Sequence, residues 1–344
     1  MRCAECRSWV ARRMSPDTSA DPRRVLVTGQ AGFIGGHLVR ALLAQGHRVA
    51  GLDRRASAVS GACYEEFVCD LLDGAETQRV VTGFAPDAVL HLAARTDLGE
   101  TQDISGYAAN VLGVQHLLDA IDATPSVQRA ICTSSQLVCR IGYHPVSDED
   151  YAPSTLYGES KVATERIWRG GDGAGREWSL VRPTTIWGPG MNPHYLRFFR
   201  MVRDGRYFHV GRGPTRKSYG FVRNTVAQYL ALLAAPAGAM HRHNFFLADY
   251  EPLALEAWAD AFAASLGAPR IRTVPRGAAV TLARIGDLVQ WAGWTRFPFT
   301  SFRLGNVLAA YRVDTRPIAA LCPELPCSWQ DGVALTTDWL HTVW

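Results

Sequence analysis

Tyr157 and Lys161 stand four residues apart in Tyr-Gly-Glu-Ser-Lys, a spacing that puts both on one face of a helix. A phenol with an ordinary pKa of about 10 is almost wholly protonated at neutral pH. A nearby ammonium favours the phenolate, which makes Tyr157 a candidate general base toward an alcohol hydroxyl. Thr133-Ser134-Ser135 follows the apolar run Ala130-Ile131-Cys132. A serine hydroxyl at the end of such a strand can donate to a reacting oxygen or accept from it. Each feature has a plainer explanation alone: an exposed Tyr/Lys pair, or a Ser/Thr turn.

A third feature joins them. Val25-Leu26-Val27 runs into Thr28-Gly29-Gln30-Ala31-Gly32-Phe33-Ile34-Gly35, three glycines spaced by three between a strand and a helix. The first permits a tight turn, the second lets backbone approach a pyrophosphate, and the third lets helix and strand pack closely. The helix N-terminus then offers unpaired N–H groups to the phosphates. Asp53 ends the next strand, eighteen residues past Gly35. A carboxylate there accepts from ribose hydroxyls and repels a 2′-phosphate, which favours NAD. Arg54 and Arg55 beside it leave NADP open, because a guanidinium can hold that phosphate.

The elements that must carry these residues follow from hydrophobic rhythm. Short β-branched runs at 25–27, 48–52, 88–90, 130–132 and 179–181 alternate with helical patterns at 33–45, 106–123 and 155–168. That alternation predicts an α/β fold, a Rossmann-like doubly wound parallel sheet, over 24–182. Prolines and glycines break the rhythm afterwards, with helices predicted at 196–203, 225–234, 253–266 and 278–291 and a strand near 244–247. Residues 183–344 therefore read as a smaller C-terminal α/β substrate lobe, partly interleaved with the sheet. Trp291, Trp294, Phe297, Phe299 and Phe302 read by default as core packing.

Composition narrows the classes. With 47% hydrophobic and 20% charged residues the chain can bury a core. Net charge is +4, and most of the excess lies in the first 24 residues, where six arginines face three acids. The nearly neutral remainder gives no case for nucleic acid. No apolar run approaches a membrane span, so no membrane partner is expected. The basic segment 1–23 reads as a disordered extension, with Met14 an alternative start. Eight scattered cysteines without an export signal suggest reduced thiols in a cytoplasm. Cys3 and Cys6 could complete four thiolates with Cys322 and Cys327, but nothing fixes those ends together, so no metal is expected.

In order and spacing, the glycine turn, Asp53, Cys69-Asp70-Leu71, His91-Leu-Ala-Ala94, Asn110, Ser134-Ser135, Tyr157…Lys161 and Arg182-Pro-Thr-Thr-Ile-Trp-Gly-Pro189 resemble the extended short-chain dehydrogenase/reductases. The likeness is to the NAD-dependent epimerase/dehydratase family that acts on nucleotide sugars. It implies that Gly29, Gly32, Phe33, Ile34 and Gly35 line the pyrophosphate and that Asp53, with Arg54 beside it, meets the adenosine ribose. It places Asp70 and Leu71 beside the adenine and Leu92, Ala93 and Ala94 beneath the cofactor. Tyr157 becomes the base and Lys161 its positioner, also on the nicotinamide ribose. Ser135 matches the catalytic Ser/Thr, lying four before Cys139, with Ser134 the fallback. A homodimer through the long helices is implied as well.

Departures bear on substrate. Dehydratases of the family follow the catalytic Ser/Thr with Asp-Glu; here Gln136 and Leu137 stand there, which disfavours dehydration. Thr185 replaces the family's Asn. Lys217 replaces the arginine that grips a nucleotide diphosphate, keeping charge but losing bidentate geometry. Arg212, Arg216 and Arg223 are candidates to compensate. The leading expectation is a nucleotide-sugar 4-epimerase working through a 4-keto intermediate. The alternatives are an NAD(P)H-dependent reductase of a 4-keto sugar or other carbonyl compound, and a non-catalytic dinucleotide sensor.

Overall fold

The computed structural model describes residues 22–344, apart from 101, 212, 214, 292 and 295–298 and the side chains of 193, 194 and 302. Nearly all of the basic extension, with Cys3, Cys6 and Met14, and also Arg212 and Phe297, lies outside the described residues. The chain divides into two compact units. The first comprises Met1–Trp187, Gly220–Tyr250 and Asp314–Cys327, and the second Gly188–Tyr219, Glu251–Val313 and Ser328–Trp344.

The first unit is built on a seven-stranded sheet. Its strands are β1 (Arg24–Thr28), β2 (Arg48–Asp53), β3 (Tyr64–Val68), β4 (Ala88–His91), β5 (Arg129–Thr133), β6 (Glu177–Pro183) and a last strand, His243–Leu247. Spatial order is β3-β2-β1-β4-β5-β6 and then His243–Leu247, with every pair parallel. Helices α1 (Phe33–Ala44), α2 (Gly74–Phe84), α3 (Ala108–Asp122) and α4 (Leu156–Gly170) belong to the same unit. Strand order reverses between β1 and β4, and ligands of such sheets bind outside the carboxyl ends of the strands at that point.

Alternating side chains feed two cores. Val25, Val27 and Val49 join Leu38, Val39 and Leu42 of α1. Leu26, Ala50, Leu52, Val89 and Cys132 join Val80, Leu117 and Ile121. Strands covered on both faces read as continuous apolar runs, which is why these were legible. Strand β3 and helix α2 were not among the predicted elements. β3 is an edge strand whose Glu65 and Glu66 break any apolar run.

The second unit contains helices Pro193–Arg203, Leu255–Ser265, Arg276–Trp291, Ser301–Leu308 and Trp329–Val343. The last begins with a capping box between Ser328 and Asp331. Two small strand pairs complete it: Arg216–Lys217 antiparallel to Leu253–Ala254, and Phe208–Val210 parallel to Arg272–Val274. Its aromatic core gathers Phe199, Trp258 and Phe262. The aromatic run 291–302 departs from the core expectation. Trp291 is 87% and Trp294 61% exposed, while Phe299 is half-buried against Ala279, Ala283 and Leu304. Helix Arg276–Trp291 turns its small residues inward, which leaves the tryptophans on the outside.

Candidate active site

The glycine turn leaves β1 with Gly29 at φ +79°, a left-handed conformation suited to glycine. A Cβ on Gly29 would lie 2.6 Å from the Ala93 nitrogen, and one on Gly35 would collide with the Gly29 carbonyl oxygen. Gly32 differs: beyond the Gly29 oxygen at 3.0 Å, a Cβ there would meet nothing within 4 Å. Gly32 is also the N-cap of α1, with no side-chain cap and no acid in the first turn. The first amides of α1 therefore carry no side-chain cap, as a site for a pyrophosphate requires. Phe33 and Ile34 form that first turn.

Thr28 ties the turn to the neighbouring strand. Its Oγ1 accepts from the amides of Leu92 and Ala93, each at 3.2 Å, and lies 2.7 Å from His91 Nδ1. Burial, with the Lys161 cation adding to it, pushes His91 down to about 3, so the imidazole is neutral. Leu92, Ala93 and Ala94 are half-buried just past β4, beside the switch point. Asp53 ends β2 with Oδ1 accepting from the Arg55 amide at 3.1 Å, while Arg54 is exposed. Asp70 is exposed and accepts from Leu72 N, whereas Leu71 is buried with its carbonyl oxygen 2.8 Å from His116 Nδ1. These residues fit a dinucleotide: an uncapped helix N-terminus, glycine where backbone must pass closely, and a carboxylate at the end of β2.

Helix α4 carries Tyr157 and Lys161. Thr155 caps it, its Oγ1 accepting from Gly158 N at 3.0 Å. Lys161 is buried, and Nζ donates to the Thr133 carbonyl at the end of β5 at 2.7 Å. Burial lowers its pKa. One of its three donors is thus spent on the scaffold. Tyr157 is buried with its ring centroid 6.0 Å from that of Tyr107. A Cβ on Gly158 would collide with the Leu137 carbonyl oxygen, so the glycine after Tyr157 lets α4 sit against the Ser135–Leu137 turn. The sequence shows Gly158 next to Tyr157 but not why a glycine is needed there.

The two serines have different fates. Ser134 Oγ donates to Glu165 Oε1 at 2.5 Å. Glu165 is fully buried on α4, one turn past Lys161, and Arg182 clasps it with two bonds of 2.8 and 2.7 Å. Tyr151 donates to the same carboxylate at 3.0 Å. Ser134 is therefore part of a buried ion-pair network and is not available as the fallback. Ser135 Oγ accepts from Leu137 N at 3.1 Å, which leaves its own hydroxyl hydrogen to donate elsewhere. Asn110 makes a second brace. It receives the Arg95 amide at 2.8 Å and donates to Ser160 Oγ at 2.9 Å, joining the segment after β4 to α4. Glu165 and the bracing role of Asn110 were missed, because their partners lie far away in sequence.

The predicted substrate residues are less uniform. Thr185 is half-buried just past β6, and Arg223 is half-buried in the first turn of helix Val222–Ala234. Arg216 is exposed and donates to the Pro252 carbonyl. Lys217, in the second unit, is buried and donates to the Asn306 carbonyl. Its strand is held on one side by Leu253–Ala254 and on the other by Tyr311, whose carbonyl accepts from Ser218 N. Burial lowers the Lys217 amine to about 8. Among the described residues no three His, Cys, Asp or Glu side chains converge as a metal site, and no helix is long and apolar enough to cross a membrane.

Comparison with known proteins agrees with the geometry. A 3 beta-hydroxysteroid dehydrogenase/Delta 5→4-isomerase of Mycobacterium tuberculosis is 30% identical over 296 residues, 80% of this chain and 76% of that protein. A 2-alkyl-3-oxoalkanoate reductase of Stenotrophomonas maltophilia is 30% identical over 262 residues, 72% of this chain and 77% of that protein. In structure, the UDP-glucuronic acid 4-epimerase from Bacillus cereus, solved with UDP-glucuronic acid and NAD, superposes with a TM-score of 0.72. That match covers 93% of this chain and all of the other at 18% identity, a likeness of fold. The NAD dependent epimerase/dehydratase family itself matches residues 25–248. That match spans the glycine turn, Tyr157 and Lys161, and the chain belongs to the NAD dependent epimerase/dehydratase family of NAD-using enzymes.

Proposed function

We propose that the protein is an NAD-dependent oxidoreductase interconverting a secondary alcohol and its ketone on a substrate without a nucleotide diphosphate. The observation that carries this reading is Lys217. The lysine at the position where the family's arginine grips a diphosphate is buried and donates to a backbone carbonyl. The enzymes similar in sequence, a hydroxysteroid dehydrogenase and an oxoalkanoate reductase, support the same class.

NAD supplies the hydride acceptor or, reduced, the donor. Gly29, Gly32, Gly35 and the first amides of α1 would hold its pyrophosphate, and Asp53 its adenosine ribose. Tyr157 removes the proton of the substrate hydroxyl in oxidation and returns it in reduction. Ser135, whose oxygen already accepts from Leu137 N, donates its hydroxyl hydrogen to the substrate oxygen. Lys161, anchored on Thr133, keeps two donors for the Tyr157 side of the cleft and stabilises negative charge on the phenol oxygen. The same reading has two copies pair through α3 and α4, where Leu112 is exposed.

The test is an assay of the purified protein with NAD on 3β-hydroxysteroids, 2-alkyl-3-hydroxyalkanoates and UDP-sugars, following reduced cofactor and epimer separately. Net reduction of NAD by a hydroxy compound without epimer from any UDP-sugar is expected. Epimer formation without net cofactor turnover would overturn the reading in favour of a nucleotide-sugar 4-epimerase. The half-buried Arg223 is the observation that favours that second reading, as a cation still available to a phosphate.

A further inference from the structure

Helix Arg276–Trp291 is inverted relative to an ordinary surface helix. Ala279, Ala283 and Gly286, at i, i+4 and i+7, are its buried positions, and the two alanines pack with Leu304 of helix Ser301–Leu308. Its large apolar residues face out: Leu282, Ile285, Leu288 and Trp291 are all exposed, Leu288 by 65%, and Trp294 just past the helix is exposed as well. A soluble helix normally buries such residues and shows charge outside. Exposed apolar residues that step by three across the side opposite the alanines mark an interaction surface.

Charge identifies what it meets. Between Arg270 and Leu308 the sequence has six arginines and one acid, Asp287, which is occupied as acceptor of the Ser301 amide. Arg270, Arg272, Arg276 and Arg284 are exposed, the last two on the helix itself. Leucine and isoleucine along a helix, tryptophans at its end and exposed arginines on and before it are the make-up of a helix that lies in the headgroup region of a bilayer. The short apolar runs of the sequence exclude a span, not a surface contact.

We propose that helix Arg276–Trp291 docks the protein, in the plane of the surface, on a bilayer rich in anionic lipid. Apolar side chains enter the acyl boundary and the arginines meet lipid phosphates and carboxylates. The second unit is thereby assigned a role that its short strands and aromatic core do not need.

The experiment is flotation of the full-length protein with phosphatidylglycerol-containing and pure phosphatidylcholine vesicles, alongside sedimentation to read oligomeric state. The wild type is expected to float with the anionic vesicles and to be released by salt. The double variant Leu288→Glu, Trp291→Glu should lose at least about tenfold in vesicle affinity, and Arg284→Glu or Arg276→Glu about fivefold or more each. A circular dichroism spectrum and a urea unfolding midpoint matching the wild type report that the variants are folded. Absence of flotation at low salt overturns the proposal, as does equal flotation with both vesicle types. A wild-type dimer that becomes monomeric in the double variant also overturns it, since the face would then join two copies of this chain.

Discussion

The turn after β1 and the strand Arg216–Lys217 both carry motif residues, and they hold them in opposite ways. At the turn, Gly29 and Gly35 act by what they lack, and close approach of Ala93 and of the turn's own carbonyl admits no Cβ. At the strand, Lys217 acts through the end of a long side chain, and a carbonyl from Asn306 receives it. A glycine's contribution is fixed by local backbone, so its spacing in sequence is enough to identify it. A lysine's contribution depends on which distant group its amine reaches. The same amino-acid pattern can therefore mean a ligand contact in one relative and an internal hydrogen bond in another.

Three substitutions bear on the first half of that contrast, in falling order of effect. Tyr157→Phe removes the proton carrier and should lower turnover by about 10²–10⁴-fold. Cofactor affinity, read by calorimetry, should stay within about threefold; an equal loss in both would make Tyr157 a binding residue and not a base. Glu165→Leu leaves Arg182 buried without its partner, which costs about 3–5 kcal/mol. Urea unfolding checks this, and a loss below about 1 kcal/mol, the range of exposed pairs, would mean the network is not a brace. Gly32→Ala tests the cradle more finely. Nothing protein-borne beyond the Gly29 oxygen opposes its Cβ, so stability should change by under about 1 kcal/mol. The methyl would occupy the space needed by phosphates, so NAD affinity should fall about tenfold or more. A variant that binds NAD normally would show that the pyrophosphate lies elsewhere.

The sheet's central strands were legible because each is buried on both faces and reads as an apolar run. β3 was not, because Tyr64-Glu-Glu-Phe-Val makes an edge whose glutamates accept side-chain bonds, Glu65 from Arg48 of β2 and Glu66 from Ser57. In the site, Tyr157, Lys161 and the glycines came from spacing alone. Ser134 and Ser135 could not be separated by spacing, since adjacent serines look alike until Glu165, thirty-one residues on, is seen to engage the first. Glu165 itself sits at Lys161 plus four, a helical neighbour open to inspection, but its partner Arg182 becomes visible only when β6 lies beside β5. The aromatic run after Trp291 misled in the other direction. Tryptophans usually pack inside, and here a helix offering alanines and glycine inward left them out.

Lys217→Met bears on the second half of the contrast and should change catalysis least. Burial lowers the folded amine to about 8 from an ordinary 10.5. Between those values the unfolded chain binds a proton at this position that the folded chain does not, so wild-type stability rises with pH across that window. Below about pH 8 both states are protonated and the cost of burying the charge is fully present. Relative to Lys217→Met, the wild type should therefore gain at most about 1.4 kcal/mol per pH unit from pH 8 upward, read by urea denaturation of both proteins at matched ionic strength. An amine held by an acid or poised for a phosphate would have a raised value and give no such gain. Kinetics with the identified substrate complete the case. KM should stay within about threefold in the variant, whereas loss of a charged contact to a diphosphate would raise it about tenfold or more. A flat stability difference together with a raised KM would put Lys217 back at the substrate and dissolve the contrast with the glycine turn.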